Sequence, residues 1–137
     1  MYDRCQPLLM DSHTPYEERL KRKPDFRVRY RFYSQDEGGR YMLPYQGIRS
    51  DFWYDNEEHK KGMLFIIWPE FEDEEGNVIT DKSNLIKEQG TARMWIINDD
   101  YIKYHKGKIK IGTKGYFKEG QRSTAECEVI ELINIAE

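Results

Sequence analysis

The side chains in this chain that could do chemistry are scattered. His13, His59 and His105 sit in polar, turn-like surroundings with no nucleophile paired to them in sequence. Each reads as a surface imidazole rather than a general base. Cys127 falls on the apolar face of a strand near the end of the chain, where a cysteine serves as a small buried hydrophobe rather than a reactive thiolate. Glu70, Glu72, Asp73, Glu74 and Glu75 crowd together ahead of Gly76-Asn77. They lack the alternating Asp/Asn spacing of a calcium loop and read as a solvated hairpin loop. No catalytic, metal or cofactor site is expected, and the chain is not read as an enzyme.

Binding has better material. Lys103, His105, Lys106, Lys108, Lys110 and Lys114 fall within a dozen residues. Lys108 and Lys110 are expected on one face, continued by Lys114, Lys118 and Arg122. With Arg27, Arg29 and Arg31 outward on an earlier strand, these side chains could form a track for RNA phosphates. The plainer reading is that they are outward positions that protect a sheet and its edges, balanced by nearby acids. The run Arg19, Lys21, Arg22, Lys23 carries the same two readings, a basic arm for RNA or the solvated face of a short helix.

The totals bound both ideas. A chain of 137 residues fits one domain with a complete core. Net charge is only -3, so no global field favours nucleic acid or an anionic membrane. No run approaches the roughly 20 apolar residues of a membrane span, and the first residues lack a signal peptide's apolar region. Cys5 and Cys127 stand far apart and outside any metal-ligand spacing, which predicts free thiols in a reducing cytoplasm. With 38% hydrophobic residues and 34% charged, aliphatic side chains are scarce, so the ten tyrosines, six phenylalanines and three tryptophans must fill much of the core.

The elements that would position these groups are strands. Phe26, Val28, Tyr30 and Phe32 alternate with Arg27, Arg29 and Arg31, the period of a half-buried strand. A turn follows at Asp36-Glu37-Gly38-Gly39-Arg40, and Asp51-Phe52-Trp53-Tyr54 returns into the sheet. Met63 to Trp68 predicts another strand, Val78 to Thr80 a short one, and Thr91 to Asn98 a longer one with Arg93, Trp95 and Ile97 on its second face. Lys108 to Ile111, Gly112 to Phe117 and Ala125 to Ile135 complete the set, with a tight turn at Glu119-Gly120-Gln121-Arg122. Glu131 interrupts the apolar face of the last strand at a bulge or an exposed rim. Residues 1–24 form an N-terminal extension punctuated by Pro7, Pro15 and Pro24, with a short helix from Tyr16 to Lys23. Six or seven strands without a long amphipathic helix predict an all-β barrel or sandwich over residues 25–137.

With those residues in view, the chain resembles the C-terminal, third β-barrel domain of translation elongation factor Tu, here standing alone. The strand Phe26–Phe32 running into Asp36-Glu37-Gly38-Gly39-Arg40 is similar to the family's strand and (D/E)-E-G-G-R turn. Gly47-Ile48-Arg49-Ser50-Asp51-Phe52-Trp53-Tyr54 resembles its G-Y-R-P-Q-F-Y-F. Gly112-Thr113-Lys114-Gly115-Tyr116-Phe117-Lys118-Glu119-Gly120-Gln121-Arg122-Ser123 aligns without a gap with G-x-R-F-x-x-R-E-G-G-R-T. The resemblance covers residues 26 to 135 and implies a closed six-stranded antiparallel barrel with Greek-key crossings.

The departures shape the functional expectation. Nothing reads G-x-x-x-x-G-K-[ST], so no GTP binding is expected. In the family this barrel contacts tRNA partly through the R-P-Q segment and the R-E-G-G-R turn. Here Ser50 and Asp51 replace Pro and Gln, and Gln121 replaces the second turn glycine; a carboxylate beside a phosphate backbone is repelled. The family's barrel also packs against its GTPase domain and meets the nucleotide-exchange factor. The resemblance therefore implies a non-enzymatic, cytoplasmic module that recognises a protein partner, a translation factor or a factor intercepted by mimicry. Tyr45, Arg49 and Trp53 are its anchor candidates. The alternative is an RNA-binding accessory of translation that uses Arg40, Arg49, Lys118 and Arg122 on tRNA or rRNA.

Overall fold

A computed structural model describes residues 12–55 and 66–136. Its strands are β1 (Phe26–Phe32), β2 (Asp51–Tyr54), β3 (Ile67–Phe71), β4 (Gln89–Ile96), β5 (Lys114–Glu119) and β6 (Arg122–Leu132). All pairings are antiparallel, and the six strands form one sheet in the order β2-β5-β6-β1-β4-β3. A short α-helix, α1 (Tyr16–Leu20), precedes β1, and another, α2 (Ile102–His105), lies between β4 and β5.

The long β1 earns its central place through its alternation. Phe26, Val28, Tyr30 and Phe32 are buried, while Arg27, Arg29 and Arg31 point outward. Aromatic rings fill the concave interior, as the scarcity of aliphatics requires. Tyr30 packs edge-on against Phe71 at 5.1 Å and Phe26 edge-on against Phe52 at 5.3 Å, while the Phe32 and Phe117 rings meet tilted at 5.9 Å. Gly115 on β5 belongs to this packing, because a Cβ there would sit 2.5 Å from the Phe52 ring. The β5–β6 hairpin turns at Gly120, whose φ of +65° suits glycine. Near the end of β6 the register slips between Arg27 and Val28, which face Glu131 and Val129. That bulge lets Glu131 stay exposed while Val129 remains buried.

The sheet curls into a half-barrel and does not close, contrary to the closed barrel expected. β2 and β3 approach within 8 Å between Cα atoms but share no ladder. The reason lies on the free edge of β3. The Glu72 amide bonds back to Thr91 of β4, so by alternation the Ile67, Pro69 and Phe71 amides face away from β4. Pro69 has no N–H to offer. The Phe71 N–H donates to the buried Gln46 side chain at 2.9 Å, whose amide donates back to the Phe71 carbonyl at 2.9 Å and to Ile79 at 2.7 Å. Gln46 thus supplies the hydrogen bonds that a neighbouring strand would have made.

Other expectations shift with the fold. The apolar run expected from Met63 to Trp68 contributes Ile67 and Trp68 to a strand ending at Phe71, and Met63 to Phe65 lie outside the described residues, as do Cys5 and His59. Val78 makes only an isolated bridge to Glu72. Lys108 to Ile111 is not a strand: Gly107 and Gly112, at φ +86° and +93°, turn the chain at either end, and Ile109 is buried. The 70–75 acids are not all solvated. Glu70 is completely buried and Glu72 nearly so.

Trp95 on β4 shows why. It points to the convex side of the sheet, as its spacing demands, yet it is fully buried there. Residues 12–25 lie over it, with the Tyr16 ring edge-on at 5.9 Å and the Arg22 guanidinium 5.5 Å from the indole centroid. Buried carboxylates anchor this strap. Glu70 accepts from His13 Nε2 at 2.5 Å, the Tyr16 backbone at 2.8 Å and the Trp95 indole at 3.0 Å. Asp25 accepts from Arg22, the Ile96 backbone and Asn134. His13 is therefore a buried structural imidazole, not a surface one.

Candidate functional site: an aromatic and cationic face on β2 and β5

Alternation sends Phe52 and Tyr54 inward and Asp51 and Trp53 outward on β2, and Tyr116 and Lys118 outward on β5. The register sets Asp51 opposite Lys118 and Trp53 opposite Tyr116. Diagonal neighbours on one sheet face are within reach of long side chains. Accordingly, the Lys118 ammonium lies 4.9 Å from the Trp53 ring centroid, a cation–π distance. The Trp53 and Tyr116 rings stand 6.4 Å apart at 40°. Trp53 is half-buried and Tyr116 exposed.

The seam between β2 and β3 is bridged by side chains. The Arg49 guanidinium lies 5.0 Å from the Trp68 ring centroid. Burial pushes the Asp51 carboxyl above its ordinary value, and a hydrogen bond with Trp68 works in the opposite direction without cancelling it. At the β5–β6 turn, Arg40 donates to Glu119, which also accepts from the Ser50 hydroxyl at 3.3 Å. Arg122 faces Glu119 across that turn. Arg40, Glu119 and Arg122, with Tyr41 and Met42, both exposed, line a hollow of about 220 Å³.

The predicted site residues therefore divide. Trp53 and Lys118 meet directly, and Arg40 and Arg122 flank one carboxylate. Arg49 turns to the seam, and Tyr45 is exposed in the segment that Gln46 holds to β3. Tyr116, Tyr41 and Trp68 went unrecognised. Tyr116 was legible as the outward neighbour two residues before Lys118; Trp68 was hidden within a continuous apolar run.

The basic track does not assemble as a bare cationic stripe. Arg27 pairs with Glu72 and Glu131, Arg29 with Glu128, and Arg31 with Glu37 and Glu126. Lys114 also approaches Glu128, at 3.6 Å. His105 is fully buried and shares a 2.7 Å hydrogen bond with the Tyr54 hydroxyl, so it is not a surface imidazole either. Lys108 folds over the Tyr104 ring at 4.0 Å. Burial pushes the Cys127 thiol well above its usual range, which keeps it protonated and poorly nucleophilic. Among the described residues no group of three or more His, Cys, Asp or Glu side chains converges as a metal site.

No protein-family model matches the chain, and no curated protein matches it at a significant level.

Proposed function

We propose that this chain is a non-enzymatic binding module that recognises a protein partner through the face formed by Trp53, Tyr116 and Lys118. The observation that carries the reading is the contact between Lys118 and Trp53 on paired strands. It presents an aromatic ring with one side chain already in place, so little conformational freedom is lost when a partner covers it. Tryptophan and tyrosine are enriched among the residues that carry the energetics of protein interfaces, and here Trp53 and Tyr116 adjoin, their ring centroids 6.4 Å apart. The likeness to the third barrel of elongation factor Tu makes a translation factor, or a factor that binds elongation factor Tu, the partner class we favour.

RNA binding is the competing reading, and the pairing of the β1 arginines with glutamates weighs against it. Their charge is largely balanced before any phosphate arrives, which reduces the counterion release that drives such binding. Two variants separate the readings. Trp53→Ala removes the aromatic anchor, and we expect it to abolish capture of a protein partner. Charge reversal of both Lys118 and Arg122 should abolish RNA recovery if RNA is the ligand. RNA recovery that survives Trp53→Ala but is lost on charge reversal would reject the protein-binding assignment.

A further inference from the structure

A groove of about 610 Å³ opens between the start of β4 and the 72–88 segment, three strands away from the Trp53 face in the order of the sheet. That volume lies in the range of ligand-sized sites. Its floor is apolar: the Tyr30 ring, Ile79 and Ile86 lie at its base, and Leu85 stands at its lip, 44% exposed. Its rim is acidic. Glu72 is satisfied by Arg27 and Arg93, and Glu74 pairs with Lys87. Asp73, Glu75 and Asp81 pair with no cation among the described residues.

The walls are fixed. The Asp73 carboxylate accepts from the Glu75 and Asn77 backbones at 2.9 and 3.0 Å, the Ile86 N–H bonds to Pro44 at 2.7 Å, and the Tyr30 hydroxyl donates to the Lys87 carbonyl at 3.1 Å. A preformed apolar floor under an anionic rim complements one kind of occupant: an apolar side chain flanked by cations.

We propose that this groove docks a cationic, amphiphilic peptide segment of a partner, one that places a leucine-like side chain on Tyr30, Ile79 and Ile86 and lysine or arginine against Asp73, Glu75 and Asp81. This goes beyond the aromatic face, with which the groove shares no residue, and the two fail independently. The test titrates the isotope-labelled protein with a short capped peptide of alternating lysine and leucine and follows its amide resonances. The expected result is saturable shifts at Gly76, Ile79 and Leu85 to Gly90. Leu85→Ser and Glu75→Lys, both exposed positions, should each weaken binding about tenfold or more while leaving the rest of the spectrum in place. Three results would overturn the proposal: no saturable shifts, the same shifts with a glutamate–leucine peptide, or the same shifts with a simple alkylammonium ion at equal concentration.

Discussion

Trp95 donates its indole N–H to the Glu70 carboxylate at 3.0 Å, and both side chains are fully buried although they point to the convex side of the sheet. The half-barrel therefore has a second, smaller interior, roofed by residues 12–25 and organised around a carboxylate. A buried acid is tolerated only where donors satisfy it, and here His13, Tyr16 and Trp95 all do so.

Replacing Glu70 tests that roof. Glu70→Leu leaves three buried donors without their acceptor, at about 1–3 kcal/mol for each unsatisfied group. Urea unfolding should show a loss of several kcal/mol by that estimate. Hydrogen exchange at the Tyr16 amide should accelerate more than at amides of β1 and β6, because the strap loosens before the sheet.

Acid sensitivity should trace to Glu72. Burial raises its pKa, but hydrogen bonds from Arg27, Arg93 and Thr91 together outweigh burial and leave it lowered. A carboxylate with a depressed folded-state value stabilises the fold above its ordinary range, and that stability is lost as pH falls through the folded value. Unfolding free energy measured from pH 7 downward should therefore fall below about pH 4.5. Glu72→Gln should lower stability at pH 7 and flatten that acid limb. Glu37, held at about 2 chiefly by Arg31, has the same sign but is solvent-exposed and weighs less.

Asp51 has the opposite sign. Its folded-state value is raised, so its contribution is present below the ordinary carboxyl range and is lost as pH rises through the folded value. Asp51→Asn keeps an oxygen for Trp68 and removes a charge that is half-buried at the seam. The variant should melt higher than the wild type at pH 7, and the gap should close near pH 3. A lower melting temperature at pH 7 would contradict this.

Gln46 holds the open edge of β3. Gln46→Leu strands the Phe71 N–H and the Ile79 carbonyl, while the Phe71 carbonyl keeps the Ile79 N–H at 3.0 Å; the cost is about 2 kcal/mol or more by the usual penalty for buried unsatisfied groups. It also exposes a template for pairing with other chains. Concentration-dependent light scattering on mild heating should appear in the variant and not in the wild type.

Much of the sheet was legible in the sequence because its signals are local. The alternation of β1, the aromatic return at β2 and the glycine turn between β5 and β6 each depend on residues close in the chain. The misreadings have a common cause. Spacing correctly gives Trp95 to the second face of its strand, and the crowd of acids makes Glu70 read as part of a solvated hairpin loop, but a segment some 55 to 80 residues earlier buries both, and no period carries that information. Closure failed for a reason that was written locally at Pro69, while its second half, Gln46, reaches across the fold. Of the candidate site, Trp53 and Lys118 were nameable in sequence. Their contact, and the diversion of Arg49 to Trp68, follow from register and the open seam.

Whether Trp53 anchors a protein partner is decided by affinity capture with the tagged chain from a cell lysate, with and without nuclease and at low and high salt. The expected result is a protein partner that survives nuclease and moderate salt and is lost in Trp53→Ala. RNA that nuclease removes and salt releases steeply, or a partner retained equally by Trp53→Ala, would contradict it.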